Sequence, residues 1–142
     1  MEFKLHQLSG SNLTSIFNNA YIDAEKFKDS ECCFIKGDRT LCVIAYQEQK
    51  ILEFSNMIKF PSDFSKEDAQ KFTNKVNEEM IMLKANIYED SDEEQISVFL
   101  KYSHAILDHE TISCKTIVKL SRMVEDHCNA TCYIYENLFQ RS

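Results

Sequence analysis

The chain has 142 residues, a formal net charge of −7, two glycines, one proline and no tryptophan. Its length suits one domain over 1–142, with a core spanning roughly 11–139. The negative field repels phosphate backbones and anionic bilayers, so neither nucleic acid nor membrane is an expected partner, and two glycines are too few for a P-loop or a dinucleotide fingerprint.

The opening residues, Met1 to Gly10, lack the apolar run of a secretion signal, and no stretch approaches the ~18 apolar residues of a membrane span. The expected location is cytoplasmic and reducing. There the six cysteines read as free thiols that behave as small buried hydrophobes.

The first helix is expected over Ser11–Tyr21, capped by Ser11 or Asn12, with Leu13, Ile16, Phe17 and Ala20 at helical spacing. Ile22–Phe27 alternates weakly and reads as a strand. Cys32–Ile35 and Leu41–Tyr46 flank Gly37-Asp38 and predict a hairpin with a primed turn, Phe34 facing Leu41 and Cys33 facing Cys42. Lys50–Phe60 extends the meander with Leu52, Phe54, Ile58 and Phe60 on one face, and Pro61 ends it.

Ser65 caps the next helix, to Glu79, with Asp68 in its first turn and Ala69, Phe72, Val76 and Met80 as its apolar stripe. Asn74 and Asn77 lie beside that stripe. Strands follow over Ile81–Tyr88, Gln95–Lys101 and Tyr102–Leu107, the first two separated by the acidic turn Glu89–Glu94. The last helix is expected over Ser113–Phe139, about 40 Å long. Its stripe is Ile117, Leu120, Val124, Cys128, Thr131, Tyr135 and Leu138. The resulting order, α-βββ-α-βββ-α, is that of an α+β fold on an antiparallel sheet. Whether the two strand groups form one sheet or two is open at this level.

Chemistry-bearing clusters are sparse. Cys114, His127, Cys128 and Cys132 are weak metal candidates, because Cys128 and Cys132 share a helix face but a second ligand pair is missing. Asp90, Asp92 and Glu94 alternate as in a calcium loop, yet Gln95 and Lys101 stand where such a loop needs Gly and Glu. Cys114 opens the last helix, where the dipole favours a thiolate, and is the best-placed nucleophile. Cys32, Cys33 and Cys42 fall in core strands, where thiols are inert. No cofactor and no catalytic residue is expected. Tyr46, Phe54, Met57, Tyr88, Phe99 and Tyr102 supply amphipathic material for a docking face, with Phe54, Tyr88 and Tyr102 as partner-contact candidates. A sheet edge or the last helix offers a route to pairing subunits.

Three passages carry a resemblance: Cys33-Phe34-Ile35-Lys36-Gly37-Asp38, the helix Ala69-x-x-Phe72-x-Asn74-x-x-Asn77, and Leu107-Asp108 to Thr116-Ile117-Val118. With the element order, they resemble the YbjN-type proteins, which are named as candidate bacterial sensory transduction regulators. The likeness spans Asn12 to Leu138. It implies a fold similar to type III secretion chaperones, often dimeric, with no catalytic residues to transfer. Glu78 and Glu79 follow the Asn-x-x-Asn helix where the family pattern has tryptophan.

The expected function is therefore a non-enzymatic protein-binding module, chaperone-like or regulatory, with homodimerisation as one assembly. A partner segment would be buried on the sheet face or beside the last helix. The alternative is a small-molecule or metal sensor using the cysteine and histidine set.

Overall fold

The computed structural model describes residues 1–88 and 95–139; the acidic turn Glu89–Glu94 lies outside the described residues. Strand β1 (Glu2–Phe3) and a 3-10 turn (Leu5–Gln7) lead into helix α1 (Gly10–Asn19). Strands β2 (Ala24–Lys26), β3 (Cys33–Lys36), β4 (Thr40–Tyr46) and β5 (Ile51–Lys59) follow, then helix α2 (Lys66–Glu79). Strands β6 (Lys84–Tyr88), β7 (Ser97–Ala105) and β8 (Ile112–Ser113) lead into helix α3 (Cys114–Phe139). The class is α+β, as expected, and four strands, β2 to β5, lie between α1 and α2.

One antiparallel sheet takes β2-β3-β4-β5-β7-β6 in that order, and β1 pairs with β8 in a separate two-stranded ribbon. The two strand groups therefore share one sheet, joined through the nine-residue register of β5 against β7. The stretches Gln95–Lys101 and Tyr102–Leu107 form one continuous strand, because Phe99 to Ser103 pairs with Glu53 to Met57 without a break.

All three helices are partners in the core, which the sheet supplies through alternate residues. Ile35, Leu41, Val43, Leu52, Phe54, Ala85, Val98 and Leu100 are buried together with Leu13 and Phe17 of α1, Phe72 and Val76 of α2, and Ile117 and Val124 of α3. Phe60, Phe64, Phe72, Tyr135 and Phe139 close one end as an aromatic cluster, with Phe64 stacked on Tyr135 at 5.8 Å. In α3 the stripe holds from Ile117 through Thr131. Tyr135 is half-buried and Leu138 exposed, and Ser121 and Ile134 are buried instead.

Local details differ from expectation for identifiable reasons. Ser9, not Ser11 or Asn12, caps α1, its hydroxyl accepting from the Asn12 N–H at 3.1 Å. The helix can start at Gly10 because that residue lies against the chain at Glu31. A Cβ there would sit 2.7 Å from the Glu31 carbonyl oxygen. The hairpin turn has three residues, Gly37 to Arg39, since Lys36 pairs with Thr40. Each partner is thereby shifted by one: Cys33 faces Val43 and Phe34 faces Cys42. Gly37 does not adopt positive φ; its lack of a side chain instead makes room for the Glu125 carboxylate.

Arg39 fixes that hairpin to the rest of the fold. Its Nε donates to Asn129 Oδ1 at 2.6 Å, its Nη1 to Asn56 Oδ1 at 3.0 Å, and its Nη2 to Cys132 Sγ at 2.7 Å. One guanidinium fork thus ties the β3–β4 turn to β5 and α3, which a point-charge lysine cannot do. Ser65 and Asp68 form the reciprocal cap of α2, at 3.1 and 3.0 Å, as the sequence implied.

Candidate functional site

Helices cover one face of the six-stranded sheet. The other face carries Phe34, Cys42, Ile44, Ser55, Met57 and Phe99, which project from the strand positions between the core residues. They line an open depression of about 930 Å³ with Tyr46 and Tyr88 at its margins. Met57 is 45% and Tyr88 48% exposed, a large apolar contribution for an uncovered surface. Tyr88 packs edge-on against Phe99, with ring centroids 5.5 Å apart.

The middle of this face is polar and internally paired. Glu53 lies 3.7 Å from Lys101, and the Lys101 ammonium sits 5.3 Å from the Phe99 ring centre. Tyr46 has its hydroxyl pKa raised by burial first, then by Glu53, to which it is also hydrogen-bonded. Cys42 is pushed up to about 12, chiefly by burial and then by its hydrogen bond with Cys32, while Ser55 opposes the shift. Cys32 and Cys42 therefore form a thiol pair on the open face; only Cys33 of the three early cysteines is in the core. Its thiol is also raised, mainly by burial.

At each edge of the sheet an asparagine from a helix bonds one residue of the outermost strand. At one edge, Asn18 Oδ1 of α1 accepts from the Ala24 N–H at 3.1 Å. At the other, Asn77 of α2 makes both bonds to Ala85. The Ala85 N–H donates to Oδ1 at 2.7 Å, and Nδ2 donates to the Ala85 carbonyl at 3.0 Å. A carboxamide offers one donor and one acceptor in the spacing of a peptide group, so Asn77 occupies the place of a next strand. Strand addition at these positions meets a filled partner.

The partner-contact candidates do not share a surface. Tyr88 is on the open face, whereas Phe54 is 0% exposed within the core. Tyr102 lies on the helical side, 6.2 Å from the Phe54 ring, with its hydroxyl 2.9 Å from His104 Nδ1. The reason is register: Phe54 pairs with Tyr102 and Val43 on the face that Leu52 also buries. Of the wider docking-face set, Tyr46, Met57, Tyr88 and Phe99 do line the open face.

The metal candidates are also separated. Cys114 precedes Cys128 by fourteen residues of one helix, about 21 Å at 1.5 Å per residue. Cys128 is buried, its thiol pushed up to about 12 chiefly by burial. His127 Nδ1 lies 2.7 Å from the Met123 carbonyl oxygen, and Cys132 accepts from Arg39. Among the described residues no three histidine, cysteine, aspartate or glutamate side chains converge on a metal position. None of the described helices is long and apolar enough to cross a membrane.

Sequence reading missed the Arg39 fork and the pairing of Cys32 with Cys42. The signal for the open face was available in the alternation of Cys42, Ile44 and Tyr46 against Leu41, Val43 and Ala45, which makes both sides of β4 apolar.

No known family model matches this chain, and no curated protein matches it. Among solved structures, the chain is similar to the crystal structure of YbjN from E. coli, described there as a candidate transcription regulator. The TM-score is 0.66 at 13% identity, over 85% of this chain and 86% of that one. This likeness shows a YbjN-like fold.

Proposed function

We propose that this chain is a non-enzymatic regulatory module that works by binding another protein. Its docking surface is the open sheet face, and its partner presents an apolar segment flanked by basic residues. The carrying observation is an apolar sheet face left without a helix, in a sheet where Asn18 and Asn77 each bond one residue of an outermost strand. Contact across the face buries this apolar surface, which a strand added at an edge would leave uncovered. The net charge of −7 separates two copies at long range and draws a basic partner. The description of YbjN as a candidate regulator supports the regulatory part of this reading.

The test is site-specific photocross-linking in the native cell. A photoreactive residue at Met57 should trap one protein, with the yield lost on Phe99→Asp. The same group at Glu78, an exposed residue of α2, should trap nothing. Equal trapping from both positions, or trapping indifferent to Phe99→Asp, refutes the assignment. Self-cross-linking, with a dimeric mass by light scattering, would make the occupant a second copy.

A further inference from the structure

We propose that a second groove, between α1 and the first half of α3, seats an acidic amphipathic helix of a partner protein. The groove holds about 900 Å³ and lies on the helical side of the sheet. Its apolar lining is Phe3, Ile16, Ala20, Val118 and Met123. Met123 is exposed although it points into this groove.

The two walls differ in charge. Lys115, Lys119 and Arg122 stand at positions i, i+4 and i+7 of α3, exposed on one wall, with Asp126 the only carboxylate among the described residues of the lining. Among the described residues they carry no ion pair. The opposite wall is α1, whose ten residues include no charged side chain and which presents Asn12, Ser15 and Asn19. A chain of net charge −7 thus places three cations in one row along one side of an apolar channel.

That asymmetry specifies the occupant. Two helices flanking an open apolar floor form the groove into which a third helix packs, with anchors at i, i+3, i+4 and i+7. From Lys115 to Asp126 the wall runs eleven residues, about 16 Å, or three turns of a docked helix. Acidic residues on one flank of that helix would meet the cationic row, and uncharged polar residues on its other flank would meet α1. This fixes its direction as well as its affinity. An anionic bilayer fits less well, since each basic residue near a membrane contributes only about 1 kcal/mol and the remaining surface is acidic. The proposal concerns a surface separate from the sheet face and stands or falls apart from it.

The experiment uses the full chain and a labelled synthetic peptide of about 16 residues. It carries leucines at helical spacing, glutamates on one flank and glutamines on the other. A twin replaces the glutamates with lysines. Fluorescence anisotropy should show saturable binding of the glutamate peptide, at least roughly tenfold tighter than its twin and weakening as salt rises. The double variant Lys119→Glu/Arg122→Glu should weaken it by about tenfold or more, Met123→Asp should abolish it, and Phe99→Asp on the sheet face should leave it unchanged. Lys119, Arg122 and Met123 are exposed and Phe99 is half-buried, so thermal melts of every variant check that it remains folded. Equal binding of the two peptides, no effect of the double variant, or no saturable binding overturns the proposal. Preferential binding to phosphatidylserine vesicles, lost in the same double variant, overturns it in favour of a membrane surface.

Discussion

Replacing Asn77 with alanine tests the edge seal directly, and Asn74 supplies the control from the same helix. Asn77 makes two bonds to Ala85, at 2.7 and 3.0 Å, and Ala85 is 1% exposed. Each net hydrogen bond contributes about 0.5–1.5 kcal/mol, so their loss costs about 1–3 kcal/mol. Asn74 is exposed and accepts only from Gln70, at 2.8 Å, which is worth a few tenths of a kcal/mol. Both changes gain roughly 0.6 kcal/mol of helix propensity, and this gain cancels in the comparison. Urea unfolding should therefore place Asn77→Ala about 1–3 kcal/mol below Asn74→Ala at equal m-value. Asn77→Asp should recover only part of the loss, because a carboxylate accepts from the Ala85 N–H but cannot donate to its carbonyl. If the two alanine variants unfold within about 0.5 kcal/mol of each other, the asparagine does not seal the edge.

Four further outcomes are expected. Gly10→Ala should destabilise by about 1–3 kcal/mol, because its Cβ meets the Glu31 backbone at 2.7 Å, while Gly37→Ala, which meets only the movable end of Glu125, should stay within about 0.5; paired urea melts decide this. Arg39→Ala should cost about 1–3 kcal/mol in the same assay, and Arg39→Lys should not restore it, since three acceptors spread over β5 and α3 need the guanidinium fork. Thr73→Val should stabilise by about 1 kcal/mol in thermal or urea unfolding, because the buried Thr73 hydroxyl has no hydrogen-bond partner among the described residues. For Cys128 the folded pKa of about 12 lies above its ordinary value of 9.0, so the unfolded chain loses the thiol proton first. Stability is full below about pH 9 and falls towards pH 12. Between pH 8 and 10.5 the parent chain should lose about 2 kcal/mol more than Cys128→Ala, measured by urea unfolding at each pH.

The architecture was legible wherever one residue pattern had one partner. The α2 cap at Ser65 and Asp68 and the stripe of Ile117 to Thr131 depend on local spacing, and both stand in the structure. The β3–β4 register was misread because a Gly-Asp pair favours a two-residue turn locally, whereas Arg39 is drawn into the loop by Asn56, Asn129 and Cys132 from distant parts of the chain. The contact candidates dispersed for a similar reason. Phe54, Tyr88 and Tyr102 are amphipathic or large in any context, and only strand parity decides which side of the sheet each one meets. Asn77 stood out in the sequence, but its role needed Ala85 beside it.

The sequence distances behind the two asparagine seals bear on how the chain folds. Asn18 is six residues before Ala24, and Asn77 is eight residues before Ala85. Each outermost strand is preceded by the helix that covers its rim, so during synthesis the cover emerges from the ribosome ahead of what it covers. Such short-range closure is fast compared with the long pairing of β5 and β7. Each of the strands most able to recruit a neighbouring chain thus has one residue of its outer edge engaged before the centre of the sheet is complete.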